Sequence, residues 1–179
     1  MRRLLPALVA SAALLLCPAG AAAGPSVTAH STPAAHLRPY DKQLLVDVNR
    51  ARRQNGLKPY VQSDRLYRLA HKWAEHIVAT RNLEHNPATF SIKTFRAASG
   101  CRKATTDGEN VGEQGSTNSR QLFELYMSDP AHRDNNLSPK YNAPNVPGYT
   151  DVGIATIAVP NGNGTFSEVN VMDFANHCG

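Results

Sequence analysis

Two histidines and two carboxylates carry the strongest chemical signal in this chain, and they lie on two short stretches. Leu83-Glu84-His85-Asn86-Pro87 precedes Gly108-Glu109-Asn110-Val111, and Asp129-Pro130-Ala131-His132-Arg133 follows. Imidazoles combined with carboxylates can bind a divalent metal, transfer protons or hold a polar head group. Asp129 and His132 stand three apart, a spacing that lets both face one pocket across a helical turn. Taken singly, each residue also has a plain reading. His85 in His-Asn-Pro is a solvated loop histidine, Glu109 an exposed turn residue, and Asp129-Pro130 ordinary helix-stop chemistry. Rival signatures are missing: there is no Gly-x-Ser-x-Gly and no His-Glu-x-x-His. His71 and His76 lie five apart on a predicted helix, do not share a face, and read as surface groups. His177 and the sequon Asn163-Gly164-Thr165 carry no further signal.

The chain of 179 residues opens with the order of a secretory signal peptide. Arg2 and Arg3 are followed by an apolar run from Leu4 to Leu16, then by small residues up to Ala23. Residues 1–23 are therefore expected to be a cleaved signal, and the protein to be secreted. The run is shorter than the roughly 20 residues a bilayer span needs, and no later segment is apolar enough, so no transmembrane segment is expected. Leu16 directly before Cys17 argues against lipid attachment at that cysteine. Residues 24–39, rich in Pro, Ala, Ser and Thr, read as a flexible leader. Residues 40–179 read as one domain. With the signal removed, Cys101 and Cys178 remain, and an even count in an exported chain reads as one disulfide, the alternative being two buried free thiols. The net charge of +5 falls to +3 without Arg2 and Arg3. The basic residues look scattered apart from Arg50, Arg52 and Arg53, which read as a solvated helix face, so no nucleic-acid partner is expected.

The elements that must position the four residues are legible in part. Leu44, Leu45, Val48 and Ala51 recur at helical spacing over residues 41–55, and Gly56 is a suitable stop. Pro59 makes residues 57–61 an extended connector. Ser63 is the expected N-cap of a second helix burying Leu66, Leu69, Ala70, Trp73, Ile77 and Val78. Ile92, Phe95 and Ala98 indicate a short helix. Another, over residues 118–129, should bury Leu122, Leu125 and Tyr126 and end at Pro130. Residues 138–150 form a loop. Strands over residues 152–159 and 166–174 flank the turn Pro160-Asn161-Gly162-Asn163-Gly164, with Phe166, Val169, Val171 and Met172 feeding the core. Helices followed by a hairpin predict an α+β fold.

These motifs, taken in order, resemble the CAP superfamily (cysteine-rich secretory proteins, antigen 5 and pathogenesis-related 1 proteins, or the SCP domain) in its short bacterial form. The resemblance rests on His85, on Gly108-Glu109-Asn110-Val111, and on Tyr126-Met127-Ser128-Asp129-Pro130-Ala131-His132-Arg133-Asp134-Asn135-Asn136-Leu137. Leu44 to Arg52, Leu57-Lys58-Pro59-Tyr60, Asp151-Val152-Gly153-Ile154-Ala155 and Val171-Met172-Asp173-Phe174-Ala175 extend it. It implies a three-layer α-β-α sandwich with an antiparallel central sheet and a cleft holding His85, Glu109, Asp129 and His132. Asp129 stands where many members carry glutamate, and Tyr126 where tryptophan is common. The stretch from Asn142 to Gly148 departs from compact members and would form part of the cleft rim. Two functions follow as expectations. One is a binding module for a small apolar ligand such as a lipid, a peptide, or an envelope or host component. The other is a hydrolase in which His85 and His132 hold a divalent metal, zinc being the best match, and Glu109 or Asp129 activates water.

Overall fold

The computed structural model describes residues 37–139 and 145–179, which belong to one compact unit. The expected signal peptide, Cys17, leader residues 24–36, and Asn142 to Pro144 of the expected rim lie outside the described residues. Helix α1 spans Pro39–Gln54, β1 Val61–Gln62, α2 Asp64–Thr80, α3 Ile92–Ser99, β2 Asp107–Gln114, α4 Ser119–Ser128, α5 Pro130–Asn136, β3 Asp151–Pro160 and β4 Phe166–Ala175. A single 3-10 turn, Pro87–Phe90, stands between α2 and α3.

The sheet has the order β1-β3-β4-β2. β2, β4 and β3 pair antiparallel, and the short β1 adds parallel to β3. The hydrophobic pattern explains the layering. Leu44 and Val48 of α1 and Leu122 and Tyr126 of α4 pack with Val152, Ile154, Met172 and Phe174 from one sheet face. Ala70, Ala74 and Ile77 of α2 pack with Val111, Ala155, Val169 and Val171 on the other. Helices therefore cover both faces, giving the expected α-β-α sandwich. Alanines on α2 let it come close to the sheet, and Gly153 completes the fit. A Cβ built there would lie 2.1 Å from the backbone carbon of Leu66. A third cluster joins Leu66, Leu69 and Phe95 to the bonded pair Cys101–Cys178.

Several local expectations are corrected. α1 begins at Pro39, with Leu37 buried and Arg38 paired to Glu168 at 2.8 Å, so packing starts within the stretch whose composition reads as leader. Pro130 does not merely end a helix; it starts α5, because proline at a first helical position loses no needed hydrogen bond. Phe123, not Leu125, joins Leu122 and Tyr126 in the core, and Leu125 is 47% exposed. Phe166 is likewise exposed, at the hairpin end beyond the helices' cover. Of the three arginines read as a solvated face, Arg52 is buried. Its guanidinium donates to the carbonyls of Lys58, Asn136 and Ser138 and lies over the Tyr60 ring.

Candidate functional site

The site is built around β2, whose sequence Asp-Gly-Glu-Asn-Val-Gly-Glu-Gln has little strand propensity. It is held as a strand by its full ladder with β4. Neighbouring side chains on a strand point to opposite faces, and Glu109 and Asn110 use this to organise two different segments. Glu109 is buried, and its Oε1 lies 2.7 Å from Nδ1 of His85 and accepts the backbone N–H of Asn86 at 2.9 Å. One carboxylate oxygen thus fixes the loop after α2 and the ring that it carries.

Asn110 holds α5 instead. Its Nδ2 donates to the carbonyl of His132 at 3.1 Å, and its Oδ1 accepts from Asn135 at 2.8 Å. Asn135 also donates to the Glu109 carbonyl at 3.0 Å. Gly108 leaves room for this arrangement, since a Cβ there would lie 2.5 Å from the Tyr149 hydroxyl. That hydroxyl donates to the Asp107 carbonyl at 3.0 Å.

Asp129 is the N-cap of α5. Its Oδ1 accepts the N–H of His132 at 3.0 Å and lies 3.3 Å from the Nδ1 of the same residue. The backbone bond holds the Asp129 carboxyl below the usual carboxylate range. The His132 ring packs against Tyr126 with centroids 5.0 Å apart. Desolvation lowers the His132 pKa, the Asp129 charge opposes this, and the charge of His85 lowers it further.

The four residues thus form two imidazole–carboxylate pairs, His85 with Glu109 and His132 with Asp129. Among the described residues, no hydrogen bond joins one pair to the other. In each pair the carboxylate lies against Nδ1, so Nε2 is the ring nitrogen that it leaves unengaged. The His85 side chain is 50% exposed and that of His132 is 25% exposed, so both are reachable. A carboxylate behind the ring fixes tautomer and orientation, as it does for metal-bound or proton-transferring histidines. Neither cysteine can serve as a nucleophile, because Cys101 and Cys178 are bonded to each other.

Beneath this surface lies an acid that the sequence reading gave no role. Asp173 faces Glu109 across the β2–β4 ladder and is fully buried. Neither of its carboxylate oxygens has a hydrogen-bond partner, and Glu109 Oε2 has none either. Burial and then the charge of Glu109 push the Asp173 carboxyl well above its ordinary pKa. Burial also raises Glu109, against the opposing pull of Asn86 and His85. Asn110, Asn135, Tyr149 and Asp173 complete the site's framework. For Asp173 the available signal was a lone acid within the apolar run Val171-Met172-Asp173-Phe174.

A cavity of about 300 Å³ opens beside the same loop, with Leu69, Trp73, His76, Asn86, Ala88 and Ala98 among its lining residues. Trp73 stacks on His76 and donates its indole N–H to the carbonyl of Glu84, the residue before His85.

Comparison with known proteins bears on this fold. The model of the CAP family, described as the cysteine-rich secretory protein family, matches residues 45–144. No curated protein has a matching sequence. Among solved structures, an outer surface protein of Borrelia burgdorferi superposes with a TM-score of 0.59 at 12% identity, covering 77% of this chain and 92% of its own. An extracellular SCP-domain protein of Bacillus anthracis gives 0.58 at 14% identity over 76% of this chain. A cysteine-rich secretory protein of Staphylococcus aureus gives 0.54 at 18% identity over 80%. The matched part is 40% of each of the latter two chains. At these identities the likeness is one of fold.

Proposed function

The chain belongs to the CAP, or cysteine-rich secretory protein, family, and from that premise we propose that it is an exported binding module for an amphipathic small ligand. The polar head of that ligand meets His85 and His132, and its apolar part enters the neighbouring cavity. The observation that carries this reading is that Asn86, the residue after the carboxylate-held His85, lines that cavity together with Leu69, Lys72, Trp73 and Ala88. Pockets of this size with an apolar lining and a few fixed polar groups suit small ligands. Leu83 and Phe90, on either side of His85 in the chain, are 50% and 73% exposed and add apolar surface. Export is supported by the leader sequence and by two similar folds described as an outer surface protein and an extracellular protein.

A zinc ion at this mouth would find Nε2 of His85 and Nε2 of His132. Among the described residues, no group of three or more His, Cys, Asp or Glu side chains is placed to hold a metal. The donor set does not fit a site closed by four protein ligands.

Trp73 is the only tryptophan in the chain and lines the cavity. Energy transfer from Trp73 to a fluorescent fatty acid, cis-parinaric acid, therefore tests the reading directly. Binding is expected in the wild type, weakened by about tenfold in His85→Ala/His132→Ala, with removal of two polar contacts as the cause. Equal affinity in both proteins would contradict it. Casein hydrolysis by the wild type that disappears in Glu109→Gln would replace it with the hydrolase reading.

A further inference from the structure

Four permanent cations line one concave surface at the disulfide-linked corner of the molecule, distinct from the His85 and His132 cleft. Arg65 and Arg68, three apart on the first turns of α2, share a helix face. Arg102 and Lys103 follow Cys101, and His177 precedes Cys178. All five line a cavity of about 560 Å³, together with Ser99, Gly100 and the last residue, Gly179, and no Asp or Glu side chain is among the lining. Among the described residues, none of the four Arg and Lys side chains forms an ion pair. Arg65 makes one long bond of 3.3 Å, to the Gly100 carbonyl. Asp151 lies nearby, with Oδ2 accepting from the Thr150 hydroxyl and the N–H of Cys178 and Oδ1 toward Gly179.

The loops that carry these charges are fixed. The Cys101–Cys178 bond ties the segment after α3 to the segment after β4. Asn176 reinforces the tie, with Oδ1 accepting from the backbone N–H groups of Thr105 and Thr106 and Nδ2 donating to the Thr105 hydroxyl. Several exposed cations facing one hollow raise the local positive potential, which attracts an anion most strongly at low salt.

We propose that this basic pocket is a binding site for a phosphate-bearing ligand. Several arginine forks suit the oxygens of a phosphate ester better than a single carboxylate, because each guanidinium presents paired donors. The cavity is larger than one phosphate group, so the phosphate is one end of a larger ligand. The source is either a soluble phosphate ester or the head group of an anionic phospholipid.

Calorimetry with inorganic pyrophosphate and sedimentation with phosphatidylglycerol or phosphatidylcholine vesicles, both at about 50 mM salt, test the assignment. Wild type is compared with Arg65→Gln/Arg102→Gln/Lys103→Gln and with Lys42→Gln/Lys58→Gln/Lys93→Gln, which removes equal charge elsewhere. Circular dichroism establishes that each variant is folded. Binding in wild type and in the lysine variant, weakened by about tenfold or more in the pocket variant, is the expected result. A loss seen with pyrophosphate but no vesicle binding assigns a soluble ester. A loss seen with phosphatidylglycerol vesicles assigns the lipid head group. No binding of either probe by the wild type, or equal weakening in both variants, overturns the proposal.

Discussion

At the scale of single residues, this protein keeps several carboxyl groups out of water, and their costs have opposite consequences from those of its surface ion pairs. Asp41 is buried in α1 and accepts the Thr156 hydroxyl, and burial raises its pKa to about 6. The folded state therefore holds the Asp41 proton more tightly than the unfolded chain does. Its stabilising contribution is complete below about pH 4 and is lost as pH rises through about 6. Asp41→Asn keeps the acceptor and removes the titration. Urea unfolding of this variant should lack roughly 2–3 kcal/mol of the stability loss otherwise expected between about pH 4 and pH 7. An unchanged pH profile would show that Asp41 titrates normally. His132 works in the other direction. Its lowered pKa means that protonation favours unfolding, so stability through this residue falls as pH drops below about 6.5, the ordinary histidine value.

At the scale of elements, α5 links sequence chemistry to site geometry most directly. It has only seven residues and depends on its ends. Asp129 caps its first turn and also faces the ring of His132. Asp129→Ala should cost about 1 kcal/mol in unfolding free energy through the lost cap. It should also weaken cis-parinaric acid binding, because the His132 ring loses its carboxylate. Asp129→Asn restores the cap but not the charge, so stability should recover while the pKa of His132, read by NMR titration, falls. Recovery of neither would show that Asp129 acts by another route. The elements that were legible in sequence are those with apolar periodicity: α1, α2, the short α3, α4 and the β3–β4 hairpin. β2 was hidden because its residues are polar or small and its pairing partner β4 is about 60 positions away. The second life of Pro130, as a helix start after Asp129, follows from the N-cap chemistry of the same residue that reads as a stop.

Across the whole molecule, both candidate sites lie where segments remote in sequence are locked together by polar contacts at the sheet margin. Glu109 and Asn110 gather the His85 loop and α5 from either side of one edge strand. The disulfide and Asn176 gather the basic pocket. Family motifs named the first group before its geometry was known, since each residue stands within a recognisable run. The second group has no such run: Arg65, Arg68, Arg102 and Lys103 look scattered until α2 and the loop after α3 are packed together. The buried Glu109–Asp173 pair was equally unreadable, because ladder register is set by folding and not by spacing. Nitrogen-detected NMR of the His85 and His132 rings at pH 7, with and without cis-parinaric acid, tests most directly whether the two rings meet the ligand. The account predicts a proton on Nδ1 of His85, a neutral His132 ring, and ligand-dependent shifts at Nε2 of both. Ligand binding that leaves both rings unperturbed, or a proton on Nε2 of His85 with Nδ1 bare, would contradict it.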